Sequence, residues 1–301
     1  MIRNYADIRK AARSVSGARV AIPMGHDPAS MQALCEISDL GLASGVIVAP
    51  AEAVKESLDS LGRELPADLE VVDEGDAAAA AEKAVRLISS GEATVLMKGM
   101  LKTSLFQKAI LDKEFGLRTG RVLSHVAVLR SPSQKRLVAV SDGGMNIRPD
   151  EEELVQIAEN AAAVIKALGA EEALVAMLAA IEVENEKMPE TLVAARIASR
   201  TIPGMKVQGP LAVDVAVDPE AAEVKGVKGP VAGRANVMIT PDIACGNIFV
   251  KGLMYMADAE VGGLIAGAAA PIVMLSRSDK PAAKINSLAL GVVVGGESSD
   301  V

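Results

Sequence analysis

The stretch ARVAIPMGHDPASMQALCEISDLGLASGVIVAP, residues 18–50, decides the fold. ARVAIPMG (18–25) reads as a buried strand, PASMQALCEISDLG (28–41) as a helix closed by Gly41, and SGVIVAP (44–50) as the next strand. Strand, helix and strand in that order make a βαβ unit, whose strands are parallel and whose helix covers the sheet. The alternation recurs downstream. DAAAAAEKAVRLISSG (76–91) reads as a helix, ATVLMKG (93–99) as a strand, and LKTSLFQKAILDKEFG (101–116) as the following helix. The fold class is therefore α/β, with mostly parallel sheets flanked by helices.

Farther along, RVLSHVAVLRSPSQKRLVAVSDGG (121–144) holds two β-like runs joined by turn residues, which predicts an antiparallel pair. IRPDEEELVQIAENAAAVIKALG (147–169) is the clearest helix, with Pro149 and an acidic cluster at its start and Gly169 at its end. A domain boundary is placed near residue 144. EALVAMLAA reads as a strand, PETLVAARIASRTIPG as a helix, VAGRANVMITPD (231–242) as a strand and GNIFVKGLMYMA (246–257) as the helix after it. VQGPLAVDVAVDPEAA (207–222) is a Gly- and Pro-rich stretch between them.

Composition narrows the possible functions. The 301 residues are 50% hydrophobic and 23% charged, enough for a large core and for two domains. There is no Trp, and only two Tyr and three Phe, so base-stacking platforms are nearly absent. Thirty-one basic against thirty-nine acidic residues give a net charge of −8, which argues against a nucleic-acid or membrane-surface binder. Cys35 and Cys245 stand far apart, without metal-ligand spacing, in keeping with a reducing cytoplasm and no structural metal. The N-terminus lacks the apolar segment of a secretory signal, and no apolar run reaches the roughly 20 residues needed to span a bilayer.

Several strand ends carry polar residues that a core does not require: Lys98-Gly99 with Lys102-Thr103, His125, Asp214, Thr240-Pro241-Asp242 with Gly246-Asn247, and Ser276-Arg277 with Asp279. In α/β sheets such ends converge on a ligand crevice. Each also has a plainer explanation. The lysines serve equally as solvated charges, His125 as a hydrogen-bonded core histidine, His26 as a loop residue, and Asp242 and Asp279 as helix N-caps. Arg277, coming after a buried run, needs a partner, and its planar fork suits phosphate. P-loop, dinucleotide-binding, zincin and nucleophile-elbow motifs do not occur.

LMKGMLKT (96–103), LSHVAV (123–128), GPLAVDVAV (209–217), ITPDIACGNIFVKGLMYMA (239–257) and GGLIAGAAAPIVMLSRSDKPAAKINSLAL (262–290) resemble the phosphate acetyl/butyryltransferase family. The resemblance implies the reaction acyl-CoA plus phosphate giving acyl phosphate plus CoA. Coenzyme A is then a co-substrate, with no permanently bound cofactor and no metal. It also implies an isocitrate-dehydrogenase-like architecture with a cleft between two α/β domains: residues 1–143 plus 270–301, and residues 144–269. Ser276 and Arg277 match the family's Ser-Arg pair, which binds phosphate or the acyl phosphate. In the acetyl branch an Asp seven residues after that Ser is proposed to take the thiol proton; here the position is Ala283. Ser276-Arg277-Ser278-Asp279 followed by Lys284-Ile285-Asn286-Ser287 resembles the butyryl branch instead.

On this basis Ser276, Arg277, Asp279 and His125 are the candidate catalytic residues. Lys98, Gly99, Lys102, Thr103, Asp242, Gly246, Asn247 and Lys251 are the candidates for binding phosphate and CoA. The expected partners are acyl-CoA, phosphate and acyl phosphate, with no nucleic acid or membrane. Together with the family pattern, the apolar GGLIAGAAAPIV adds a homo-oligomer. Phosphate acetyltransferase is one alternative. A metal- and NAD-dependent dehydrogenase using Asp214, Asp218 and Asp242 is a second, and a non-catalytic acyl-CoA or acyl-phosphate sensor is a third.

Overall fold

The computed structural model describes residues 2–132, 136–274 and 279–297. The first stretch of chain forms α1 (Tyr5–Ala12), β1 (Arg19–Pro23), α2 (Pro28–Asp39), β2 (Ser44–Ala49), α3 (Ala51–Ser60), β3 (Leu69–Asp73), α4 (Ala77–Ser89), β4 (Val95–Met97) and α5 (Thr103–Ile110). Next come β5 (Ser124–Arg130), β6 (Val138–Ser141), α6 (Glu151–Ala167), β7 (Ala173–Leu178), α7 (Pro189–Ala198), β8 (Met205–Leu211), α8 (Val213–Val217), α9 (Pro219–Val224), β9 (Val237–Ile239) and α10 (Ile243–Met256). The chain closes with β10 (Glu260–Ala266), β11 (Ile272–Val273) and α11 (Pro281–Glu297).

Two compact units result: Tyr5–Arg121 with Gly262–Val301, and Met1–Asn4 with Val122–Val261. In the first, the strand order β3-β2-β1-β4-β11-β10 is parallel through β11, and β10 runs antiparallel. Val20, Ile22, Ile47, Val48 and Val95 are buried, as the continuous apolar runs require of strands covered on both faces. Asp27 caps α2 through the Ser30 amide (3.0 Å), and Gly41 ends it at φ 62, where a Cβ would be strained. The charged N-terminus also folds. Tyr5, Ile8 and Ala12 recur at helical spacing and are fully buried, and Arg9 donates to Asn286 Oδ1 at 2.7 Å on α11.

The second unit has the order β5-β6-β9-β7-β8, in which β5 and β6 form the antiparallel pair and β6, β9, β7 and β8 run parallel. Asp150 and Glu153 form a reciprocal capping box at the start of α6. The division between units falls at 121/122 and 261/262. The sequence reading placed it near 144 and at 270. Strand pairing explains both shifts: β6 hydrogen-bonds along β9 and takes the β5–β6 pair with it, while β10 pairs with β11. β9 is also shorter than the apolar run 231–242, because Val231–Ala235 turns back on α8 through Gly233 N to Val215 O (2.7 Å) and Ala235 N to Ala216 O (2.9 Å). The Gly- and Pro-rich stretch 207–222 is not one loop. It carries the end of β8, then α8 and most of α9.

Candidate active site

In the first unit, the loops after β1 and β4 meet at the carboxyl edge of the parallel strands. Met100 N donates to Met24 O at 2.8 Å, and Lys98 N donates to Val273 O of β11 at 2.9 Å. Lys98 is half-buried, and its ammonium reaches the Gly99 carbonyl (3.3 Å). Lys102 and Thr103 lie exposed at the start of α5, whose N-cap residue, Lys102, makes no side-chain capping hydrogen bond. A helix start whose N-cap lysine makes no capping bond, with a second lysine in the same loop, favours an anion through both its amides and its charge. Lys98, Gly99, Lys102 and Thr103 are thus brought together. Ser276 and Arg277 lie outside the described residues; Met274 ends the described chain beyond β11, and Asp279 resumes it two residues before α11.

The second unit gathers its own group at the carboxyl ends of β6 and β9. Because β5 is antiparallel, its first residues share that edge: Ser141 Oγ donates to His125 O at 2.9 Å. The loop Asp142-Gly143-Gly144-Met145-Asn146 is organised by Asp142, whose carboxylate accepts the Gly144 and Met145 amides (2.7 and 2.9 Å) and the Asn146 amide and side chain (3.1 and 2.6 Å). Asn247 Nδ2 donates to Gly143 O (3.0 Å), and Gly144 rests on the His125 ring. A Cβ on Gly246 would stand 2.3 Å from Asp142 O, so α10 can begin against this loop only with glycine there. His125, Asp242, Gly246 and Asn247 therefore form one cluster. Lys251 stands one turn farther along α10, on its exposed side.

Asp242 caps α10, accepting the Cys245 amide at 2.8 Å. Partial desolvation, followed by the hydrogen bond and charge of Asp242, holds the Cys245 thiol above its ordinary value, which disfavours the thiolate a nucleophile would need. The carboxylates considered for a metal are dispersed. Asp214 pairs with Lys225 (3.0 Å), which lowers its pKa, and Asp218 caps α9. Among the described residues no group of three or more His, Cys, Asp or Glu is arranged to hold a metal ion. The Asp142 loop went unrecognised in the sequence as part of a site. Its signal was Gly-Gly directly after a buried strand, where backbone must approach backbone closely.

The family model for phosphate acetyl/butaryl transferase matches residues 70–292. A phosphate butyryltransferase of Clostridium acetobutylicum is 37% identical over 300 residues, covering 98% of this chain and 99% of its own. A phosphate acetyltransferase of Rhizobium meliloti is 35% identical over 297 residues, covering 96% and 92%. Among solved structures, a branched-chain phosphotransacylase from Enterococcus faecalis V583 superposes with TM-score 0.84 at 30% identity, covering 92% of this chain and 99% of that one.

Proposed function

The chain belongs to the phosphate acetyl/butyryltransferase family and is an acyltransferase between CoA and phosphate, and we propose that its preferred acyl group is butyryl rather than acetyl. Support for that preference comes from Ala283 standing where the acetyl branch has its Asp, and from the extent of the match to the Clostridium enzyme. Acyl-CoA, phosphate and acyl phosphate are the substrates, with CoA as co-substrate and no resident cofactor, in a reducing cytoplasm. Among the described residues no helix is long and apolar enough to cross a membrane.

A phosphate oxygen attacks the thioester carbonyl carbon. The C–O bond forms, charge gathers on a tetrahedral oxyanion, and the C–S bond then breaks to release CoA thiolate. Arg277 grips phosphate through its fork, and Ser276 donates a hydrogen bond to the same group. Lys98 and Lys102, with the start of α5 and Thr103, add positive potential, which also eases ionisation of the CoA thiol in the reverse direction. The observation that carries this reading is the α5 start, where the N-cap residue Lys102 makes no capping bond of its own and Lys98 lies in the same loop. His125 and Asp279 are the base candidates. Asp242 is committed to the Cys245 amide of α10, and we assign it to holding that helix rather than to proton transfer.

The test is phosphate-dependent CoA release from acetyl-, propionyl-, butyryl- and isobutyryl-CoA, read with a thiol reagent. Wild type should peak at butyryl, and Arg277→Ala should fall by about 10²-fold, the usual cost of one donor to a developing anion. Turnover within about threefold of wild type would remove Arg277 from the mechanism. Acyl-CoA binding without any turnover would favour the sensor, and metal-dependent NAD reduction the dehydrogenase.

The homo-oligomer reading rests on a different segment from the one the sequence indicated. GGLIAGAAAPIV is largely consumed inside the first unit, where Leu264, Ile265, Ile272 and Val273 are buried in β10 and β11. Its apolarity therefore needs no second copy. α10 does leave an apolar face uncovered: Ile248, Tyr255 and Met256 are 72%, 52% and 88% exposed, and a Cβ on Gly252 between them would meet nothing within 4 Å. A second copy pairing its own α10 there would cover this stripe. Ile248→Arg should then shift the molar mass from light scattering to that of one chain, with the melting profile retained; an unchanged oligomer would exclude this face.

A further inference from the structure

A cavity of about 580 Å³ opens within the second unit, between the starts of α6 and α7. That volume falls in the roughly 300–1,000 Å³ range of small-molecule sites. Its floor is aliphatic, made by Leu154 of α6, Met177 and Leu178 of β7, Val193 of α7 and Ile239 of β9. Charged groups ring that floor, and most of them are already committed. Asp150 accepts the Glu153 amide (2.9 Å), Asp242 accepts the Cys245 amide (2.8 Å), and Glu151 pairs with Arg196 (2.8 Å) and Arg200. Two lining charges of opposite sign are left. Neither Arg148, exposed just ahead of α6, nor Glu190, half-buried in the first turn of α7, has an ion pair or a side-chain hydrogen bond among the described residues.

Charge and polarity together select the occupant. Four carboxylates against one guanidinium leave the lining negative, which disfavours a phosphorylated ligand. A plain hydrocarbon would cover the floor but leave Arg148 and Glu190 unused. A small aliphatic zwitterion uses all three features: its carboxylate meets Arg148, its ammonium meets Glu190, and its side chain leaves water over the aliphatic floor. We propose that this cavity binds a free aliphatic α-amino acid of the leucine or valine kind. Such a ligand is not a reactant of acyl transfer, and every residue assigned to it belongs to the second unit.

The experiment is calorimetric titration of the full chain with L-leucine, in the absence of CoA and phosphate. Leucine should bind with measurable heat, and two truncated analogues read its charges separately. 4-Methylpentanoate, which lacks the ammonium, and isopentylamine, which lacks the carboxylate, should each bind at least about tenfold more weakly, because each forfeits one charge-assisted contact. Glycine, which lacks the hydrocarbon, should be weaker too. Glu190→Gln should weaken leucine about tenfold and leave 4-methylpentanoate unchanged, whereas Arg148→Gln should weaken leucine about tenfold and leave the amine unchanged. A thermal melt checks that each variant folds; should one fail, the other variant and the two analogues still decide. No heat from millimolar leucine overturns the assignment, as does leucine binding that both variants retain in full. Equal binding of leucine and 4-methylpentanoate by wild type would mark a plain hydrocarbon site and overturn it as well. Since binding is read without turnover, none of these results bears on acyl transfer, which the CoA-release assay tests by itself.

Discussion

Gly99→Ala is expected to destabilise the protein by about 3 kcal/mol, near the top of the range for an added methyl in a packed site. The reason is the hardness of what the methyl would meet. A Cβ at residue 99 would stand 2.2 Å from Pro23 O and 2.5 and 2.6 Å from Met24 O and C, all backbone atoms at the end of the buried strand β1. No rotamer change relieves that overlap, so β1 and β4 must separate at their carboxyl ends. The Met100–Met24 hydrogen bond, 2.8 Å long, goes with them. Since the displaced loop carries Lys98 and Lys102, phosphate-dependent turnover should fall together with the melting temperature. Gly75→Ala is the control, because a Cβ there meets nothing within 4 Å. A Gly99→Ala protein melting within about 1 °C of that control would refute the steric account.

Asp142→Ala should cost about 3 kcal/mol, because it removes the acceptor of several donors at once. The residue is 2% exposed, and its carboxylate is the acceptor for three backbone amides and the Asn146 side chain. Gly144 is exposed and Met145 and Asn146 are half-buried, so water replaces part of what the freed amides lose, and the sum over four donors sets the size of the effect. The effect should spread along the chain, since Thr240 Oγ1 donates to Asp142 O (3.2 Å) and Ile243 N to Ile147 O (3.3 Å), tying the loop to the start of α10. Asp142→Asn keeps the shape but turns an NH₂ toward donors, so its stability should lie between alanine and wild type. Hydrogen exchange at residues 144–146 should accelerate in the same order. An Asp142→Asn protein as stable as wild type, with those amides equally protected, would show that the carboxylate does not organise the loop.

Legibility in the sequence depended on how local the determinants were. The βαβ alternation, the helix closed by Gly41, the Pro149-led α6 and the β5–β6 pair were all readable, because caps, breakers and periodicity act within a few residues. The helix α1 was not, since YADIRKAA carries only three buried positions among charges and its partner α11 lies at the other end of the chain. The glycines were recognised but given too narrow a reason. Gly99 and Gly246 were read as candidates for binding phosphate and CoA, and each is in addition required by another backbone segment of its own unit. Arg277 was suggestive by its place after a buried run, but the roles of Ser276 and Ala283 could be read only by family resemblance, because a residue's chemical role is not written in its neighbours.

By itself, then, the sequence determined the α/β class, much of the strand and helix alternation, the family and the reaction, which follow from local patterning and from long motifs. Only the tertiary structure decided which strands pair, and with them the division at 121/122 and 261/262, because pairing depends on contacts far apart in the chain. It alone showed that Asp142, remote from α10 in sequence, holds the loop against which Gly246 and Asn247 pack. It also decided which apolar segments the fold consumes. Leu264, Ile265, Ile272 and Val273 of β10 and β11 are buried while α10 keeps a bare face, because hydrophobicity is a property of residues and burial a property of their neighbours.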